Sequence, residues 1–71
     1  MKIVAEVAGK VWKVEARAGA SLAANDTILI LESMKMEIPV AAPAAGTLRA
    51  LLVNEGDSVK EGDVVAELDA S

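Results

Sequence analysis

The sequence predicts an all-β fold of short strands arranged as two sheets packed face to face. Three observations carry that prediction. Turn-forming clusters recur about every eight to ten residues, at a spacing that suits short strands. The runs between them are brief, rich in Val, Ile, Leu and Thr, and none is long enough to sustain an amphipathic helix. The chain also repeats itself. Moved by 37 positions, Ala8 falls on Ala45, Gly9 on Gly46, Gly19 on Gly56, Ser21 on Ser58, Asp26 on Asp63 and Leu31 on Leu68, without a gap. Apolar positions follow, Val11 meeting Leu48, Val14 meeting Leu51, Leu22 meeting Val59 and Ile28 meeting Val65. A handful of short strands cannot bury its apolar face alone, so the two halves pack together about an approximate two-fold axis. The 71 residues read as a single domain, 1–71.

In chain order, Ile3, Val4 and Val7 open the first strand, and Ala8-Gly9-Lys10 breaks it. Val11–Ala16 resumes an extended pattern, with Trp12 expected in the core or half-buried on a strand. Arg17–Ala20 is a turn, Ser21-Leu22 a very short strand, and Ala23–Asp26 a turn whose Asn and Asp suit left-handed geometry. Thr27–Ser33 and Met36–Ala42 form a hairpin. Pro39 lacks an amide donor, so its neighbours in the second of these strands must tolerate the gap, as a sheet edge or a strand end does. Ala42–Gly46 turns the chain before Thr47–Val53. The turns Asn54–Asp57 and Lys60–Asp63 enclose the short Ser58-Val59, Val64–Leu68 is the last strand, and Ala70-Ser71 is expected to fray. Gly9, Gly19, Gly46, Gly56 and Gly62 all read as turn positions. Alanine-rich pieces such as Ala16–Ala24 have helical propensity, but the spacing of Gly and Pro overrides it.

Met34-Lys35 is the loop of the central hairpin. Two-residue hairpin loops ask for positive φ and so favour Asn-Gly, Asp-Gly or a leading Gly, none of which is present. A broken turn rule at the most exposed point of a hairpin indicates that side-chain identity there serves something besides folding. Lys35 is the candidate working residue, Met34 and Met36 are soft flanking groups suited to recognition, and Glu32 and Glu37 could tune docking. The two halves meet at this hairpin. Their symmetry places the two chain ends near one another, away from it.

Composition narrows the chemistry. With no His, Cys, Tyr or Phe, the commonest general base, the thiol nucleophile and most metal sites are excluded, leaving carboxylates, lysines and hydroxyls. The net charge of −4 opposes phosphate backbones, which argues against nucleic acid. No apolar run approaches a membrane span, and an acid at Glu6 interrupts any signal-peptide core, so a cytoplasmic location is expected. No G-x-G-x-x-G or Walker spacing occurs.

Glu32-Ser33-Met34-Lys35-Met36 resembles the attachment sequence of the biotinyl/lipoyl attachment domain family, and most of all the biotin carboxyl carriers of biotin-dependent carboxylases. The likeness extends through Val7-Ala8-Gly9, Gly19, Ala44–Thr47, Glu55–Val59 and Glu61–Asp63, nearly the whole chain. It implies a flattened β-barrel or sandwich of two four-stranded antiparallel sheets, with biotin in amide linkage to Lys35. Lipoyl domains share the fold, and lipoate on the same lysine is the alternative, as is an unmodified interaction module. The methionine pair favours biotin. Val11–Gly19 runs on without an inserted thumb, so the chain resembles the thumbless, free-standing attachment type or the carrier piece of an acyl-CoA or pyruvate-type carboxylase.

The partners this resemblance implies are a biotin protein ligase, then a biotin carboxylase and a carboxyltransferase. A free alkylamine is almost wholly protonated near neutrality, so the ligase must provide for its deprotonation. The isolated domain is expected to be monomeric and to turn over nothing by itself.

Overall fold

The structure, a computed structural model, describes residues 1–70. Eight strands account for it: β1 (Lys2–Val4), β2 (Gly9–Val14), β3 (Ser21–Leu22), β4 (Thr27–Ser33), β5 (Met36–Ala41), β6 (Gly46–Leu51), β7 (Ser58–Val59) and β8 (Val64–Ala70). They form two four-stranded antiparallel sheets, ordered β1-β8-β6-β3 and β5-β4-β2-β7, and no helix occurs among the described residues. The sandwich measures 34 × 17 × 16 Å.

The repeat seen in the sequence is a repeat of structure. Displaced by 37, the bounds of β2, β3 and β4 become those of β6, β7 and β8. Register is duplicated too. Val11 pairs with Leu31 and Lys13 with Ile30, leaving Trp12 as a bulge, while Leu48 pairs with Leu68 and Ala50 with Glu67, leaving Arg49 as its counterpart. The halves exchange reciprocal backbone bonds. Gly19 N–H donates to Leu48 O at 2.7 Å and Gly56 N–H to Val11 O at 2.8 Å; Leu48 N–H returns to Ala20 O and Val11 N–H to Asp57 O, both at 2.8 Å. The interface between halves is thereby hydrogen-bonded where a loop would otherwise bury unpaired amides.

β4 and β8 supply much of the core, each burying an adjacent pair, Ile28 with Leu29 and Val65 with Ala66, where its ladder slips register, and then Leu31 or Leu68. Ile28, Leu29, Leu31, Leu48, Leu68, Val11 and Val65 are fully enclosed, and no polar or charged residue shares the core among the described residues. The turns are held locally: Asp26 Oδ2 accepts from Ala23 N–H at 2.9 Å, and its repeat mate Asp63 accepts from Lys60 N–H at 2.8 Å. Asn25 (φ 73°) holds the left-handed position that Gly62 (φ 90°) holds in the second half, as Asn tolerates better than most residues.

Several expectations need correction. Gly9 and Gly46 are not turn residues: they begin β2 and β6, and neither has positive φ. Each is small because another strand crosses it. A Cβ on Gly9 would lie 2.6 Å from Glu32 O, and one on Gly46 would collide with Asp69 O. Ala70 is paired in β8 opposite Gly46 and does not fray, whereas Ser71 lies outside the described residues. The first strand stops at Val4, before Val7. Pro39 does lie on an edge strand, β5. The first residue meets the last strand, Met1 amine donating to Leu68 O and Leu68 N–H to Met1 O, both at 2.8 Å. This contact occupies the position that the two-fold relates to the β4–β5 hairpin.

Candidate functional site

Leu29 and Leu31 anchor β4 in the core, and Val40 does the same for β5, so the hairpin between them leaves the sandwich on two fixed strands. Its last pair is Ser33 with Met36, which leaves a loop of two residues. Met34 has φ 52° and Lys35 φ 64°. Positive φ at both loop positions defines a primed, I′-type turn whose twist matches that of the strands. Two L residues with long side chains occupy it in place of Asn-Gly, at an energetic cost that the fold does not require.

The outcome is outward display. Met34 keeps 91% of its surface and Met36 64%, and Lys35 is exposed between them. Among the described residues Lys35 makes no ion pair and no side-chain hydrogen bond; the two ion pairs present, Lys13–Glu15 at 3.3 Å and Arg49–Asp69 at 3.9 Å, lie elsewhere. Glu32 and Glu37 sit directly opposite one another at the next pair down, with Lys10 across the ladder from Glu32 on its other side. Chemically, this is an accessible primary amine on a stiff spur, flanked by two thioethers and underlain by two carboxylates. No group of His, Cys, Asp or Glu with metal-binding geometry occurs among the described residues.

Of the two placements expected for Trp12, core or half-buried on a strand, the core is not the one it takes. The neighbouring Val11 takes the core position, and Trp12, the unpaired residue of the bulge, stays 48% exposed. It lines a shallow groove with Lys10, Val11, Glu32 and Gly56 on the outer face of the sheet that bears the hairpin. With Val11 turned inward, alternation along the strand puts Trp12 on the outer face, and the bulge keeps Lys13 there too before Val14 turns back toward the core.

A duplicated β-sandwich that presents one lysine on a tight turn defines a class of protein, the carrier domains that bear a covalently attached group. The chain belongs to the biotin/lipoyl attachment family: the family model described as "Biotin-requiring enzyme" matches residues 1–68. It is 44% identical over 71 residues to a biotin/lipoyl attachment protein of Bacillus subtilis, covering 100% of this chain and 97% of that one. It is 37% identical over 67 residues to a pyruvate carboxylase of Staphylococcus aureus, covering 94% of this chain and 6% of the enzyme. Among solved structures, the urea carboxylase of Kluyveromyces lactis superposes with a TM-score of 0.92 at 35% identity, covering 97% of this chain and 6% of that one. The chain thus spans nearly all of a small attachment protein and a small fraction of the large carboxylases. No helix is long and apolar enough to cross a membrane among the described residues.

Proposed function

We propose that this chain is a biotin carboxyl carrier, acting as one attachment domain, with biotin held in amide linkage by Lys35. The observation that carries the reading is the lysine's position at the apex of a primed two-residue turn between exposed methionines. In the attachment step the Lys35 amine, once deprotonated by a group of the ligase, attacks the carbonyl of an activated biotin carboxylate. The C–N bond forms as the bond to the leaving group breaks, and the amine's second proton passes to solvent or to the ligase. Among the described residues no carboxylate is ion-paired with that nitrogen.

Bound biotin supplies a ureido nitrogen able to accept a carboxyl group and give it up again. The domain's part is mechanical. The hairpin keeps the arm clear of the sandwich, and tethering raises its effective concentration at each partner site. The partners are the ligase, a biotin carboxylase and a carboxyltransferase, and the carrier itself is non-catalytic. Similarity to pyruvate, urea and acyl-CoA carboxylases supports this division of labour and favours biotin over lipoate.

Intact-mass measurement after co-expression with a biotin protein ligase tests the reading. One biotin-sized increment is expected, absent in Lys35→Ala. Its absence from the parent chain, or its persistence in the variant, would refute the assignment.

A further inference from the structure

The two-fold supplies an internal control for function. β2 and β4 match β6 and β8 in strand bounds, register and bulge, and β5 pairs with β4 as the shorter β1 pairs with β8, so the backbone makes similar demands of both sheets at these positions. Core positions obey this, with Val11 matched by Leu48, Ile28 by Val65 and Leu31 by Leu68, all fully buried. One outer row does not. In the sheet without the hairpin, the bulge residue Arg49 lies beside Ala50, which pairs with Glu67, which pairs with Lys2. In the sheet with the hairpin, the equivalent row is Trp12 beside Lys13, then Ile30, then Pro39. Arg49, Glu67 and Lys2 on one sheet give way to Trp12, Ile30 and Pro39 on the other, while Ala50 gives way to Lys13. Trp12 and Pro39 are exposed and Ile30 is half-buried.

Pairing does not call for the more apolar version, because the charged version serves the same register. An exposed Trp beside Ile and Pro is also a solubility liability, of the kind kept where another surface covers it. The row lies under the Lys10, Glu32 and Glu37 row, on the sheet that ends in Lys35. Ile30 is five residues before the lysine, roughly 15 Å along the strand, within the footprint of one ordinary protein interface.

We propose that this face, centred on Trp12 and Ile30, is where the biotin protein ligase docks. The inference rests on the reading of Lys35 as the attachment site. Among the implied partners, the ligase alone must act before any biotin is present. It must also choose one lysine from a chain that contains four others, Lys2, Lys10, Lys13 and Lys60. Protein surface is all it has to read. An apolar patch bordered by Glu32 and Glu37 calls for a partner with an apolar contact flanked by cations.

The test compares steady-state biotin transfer by the ligase to the parent chain, to Trp12→Arg and to Arg49→Ala. Trp12→Arg installs the residue that the other sheet carries at the same bulge, so the fold is retained, as the melting temperature will verify. We expect Trp12→Arg to raise KM for the domain on the order of tenfold with kcat little changed, as truncated Trp anchors do. Arg49→Ala should match the parent. Equal KM in all three, or equal losses in both variants, overturns the proposal. As a check that needs no variant, the only Trp gives a single indole N–H resonance, which should broaden or shift when ligase is added to the unbiotinylated domain. A shift produced instead by attached biotin alone, or by domain concentration alone, would assign the face to the cofactor or to a second copy and refute ligase docking. Failure of the parent chain to accept biotin at all strikes the Lys35 assignment itself, a result distinct from a failure of docking.

Discussion

Glu32 and Glu37 face each other across the β4–β5 ladder, one pair below the turn that presents Lys35. Directly opposed like charges disfavour the strand pairing. Replacing Glu37 with Gln should therefore stabilise the domain by about 0.2–1 kcal/mol. Urea unfolding at low and high salt would check this, because the gain should shrink as ionic strength screens the pair. A loss of stability in Glu37→Gln would mean that the carboxylates are held apart by contacts other than those of the ladder.

The same tension between folding and display exists at the turn itself. Met34→Asn combined with Lys35→Gly would install the residues a primed turn prefers. The double variant should gain on the order of 1 kcal/mol in unfolding free energy while accepting no biotin. Denaturant titration with the mass assay reads both outcomes on one sample. Equal stability would show that the left-handed conformations of Met34 and Lys35 are not a burden on the fold.

Glycines of this chain divide into two kinds, which substitution should separate. Gly62→Asn ought to be tolerated, with a change below roughly 1 kcal/mol, since Asn25 already fills the matching left-handed position in the first half. Gly46→Ala has no such escape. Its methyl would meet the Asp69 backbone, and the β6–β8 ladder must separate to admit it. A cost of several kcal/mol, enough to unfold a domain of this size, is expected in a thermal melt followed by circular dichroism.

Core truncation should be equally decisive. Leu31 is fully buried between the sheets, and Leu→Ala changes at such sites cost about 2–5 kcal/mol. A single core in so short a chain supplies roughly 3–5 kcal/mol net. Leu31→Ala should thus be largely unfolded at ambient temperature, showing no cooperative transition and accepting little biotin. Cooperative unfolding close to that of the parent would contradict the burial seen here.

Much of this architecture was legible beforehand, and the reason is periodicity. Brief apolar runs, turn clusters and the displacement by 37 positions are properties of order along a chain, and they lead directly to paired sheets about a two-fold. Lys35 stood out by a local contradiction, a turn without a turn residue, and the structure places it on the outermost loop of the hairpin with positive φ. Pro39, through its missing donor, called for a sheet edge or a strand end, and β5 is an edge strand.

What the linear order could not convey was which residues face one another. Gly9 and Gly46 looked like turns because glycine signals small size or positive φ alike, and only the crossing of Glu32 and Asp69 distinguishes the two. Trp12 could be read as core or as half-buried because Val11 and Trp12 are adjacent apolar residues of one strand, and only the packing shows that Val11 takes the core and Trp12 the outer face. Local preference, set by each residue and its neighbours, determined the strands, and its breach at Met34-Lys35 marked the lysine. Contact between distant strands decided the bulges and the apolar row, because register is a property of two chain segments and is written in neither alone.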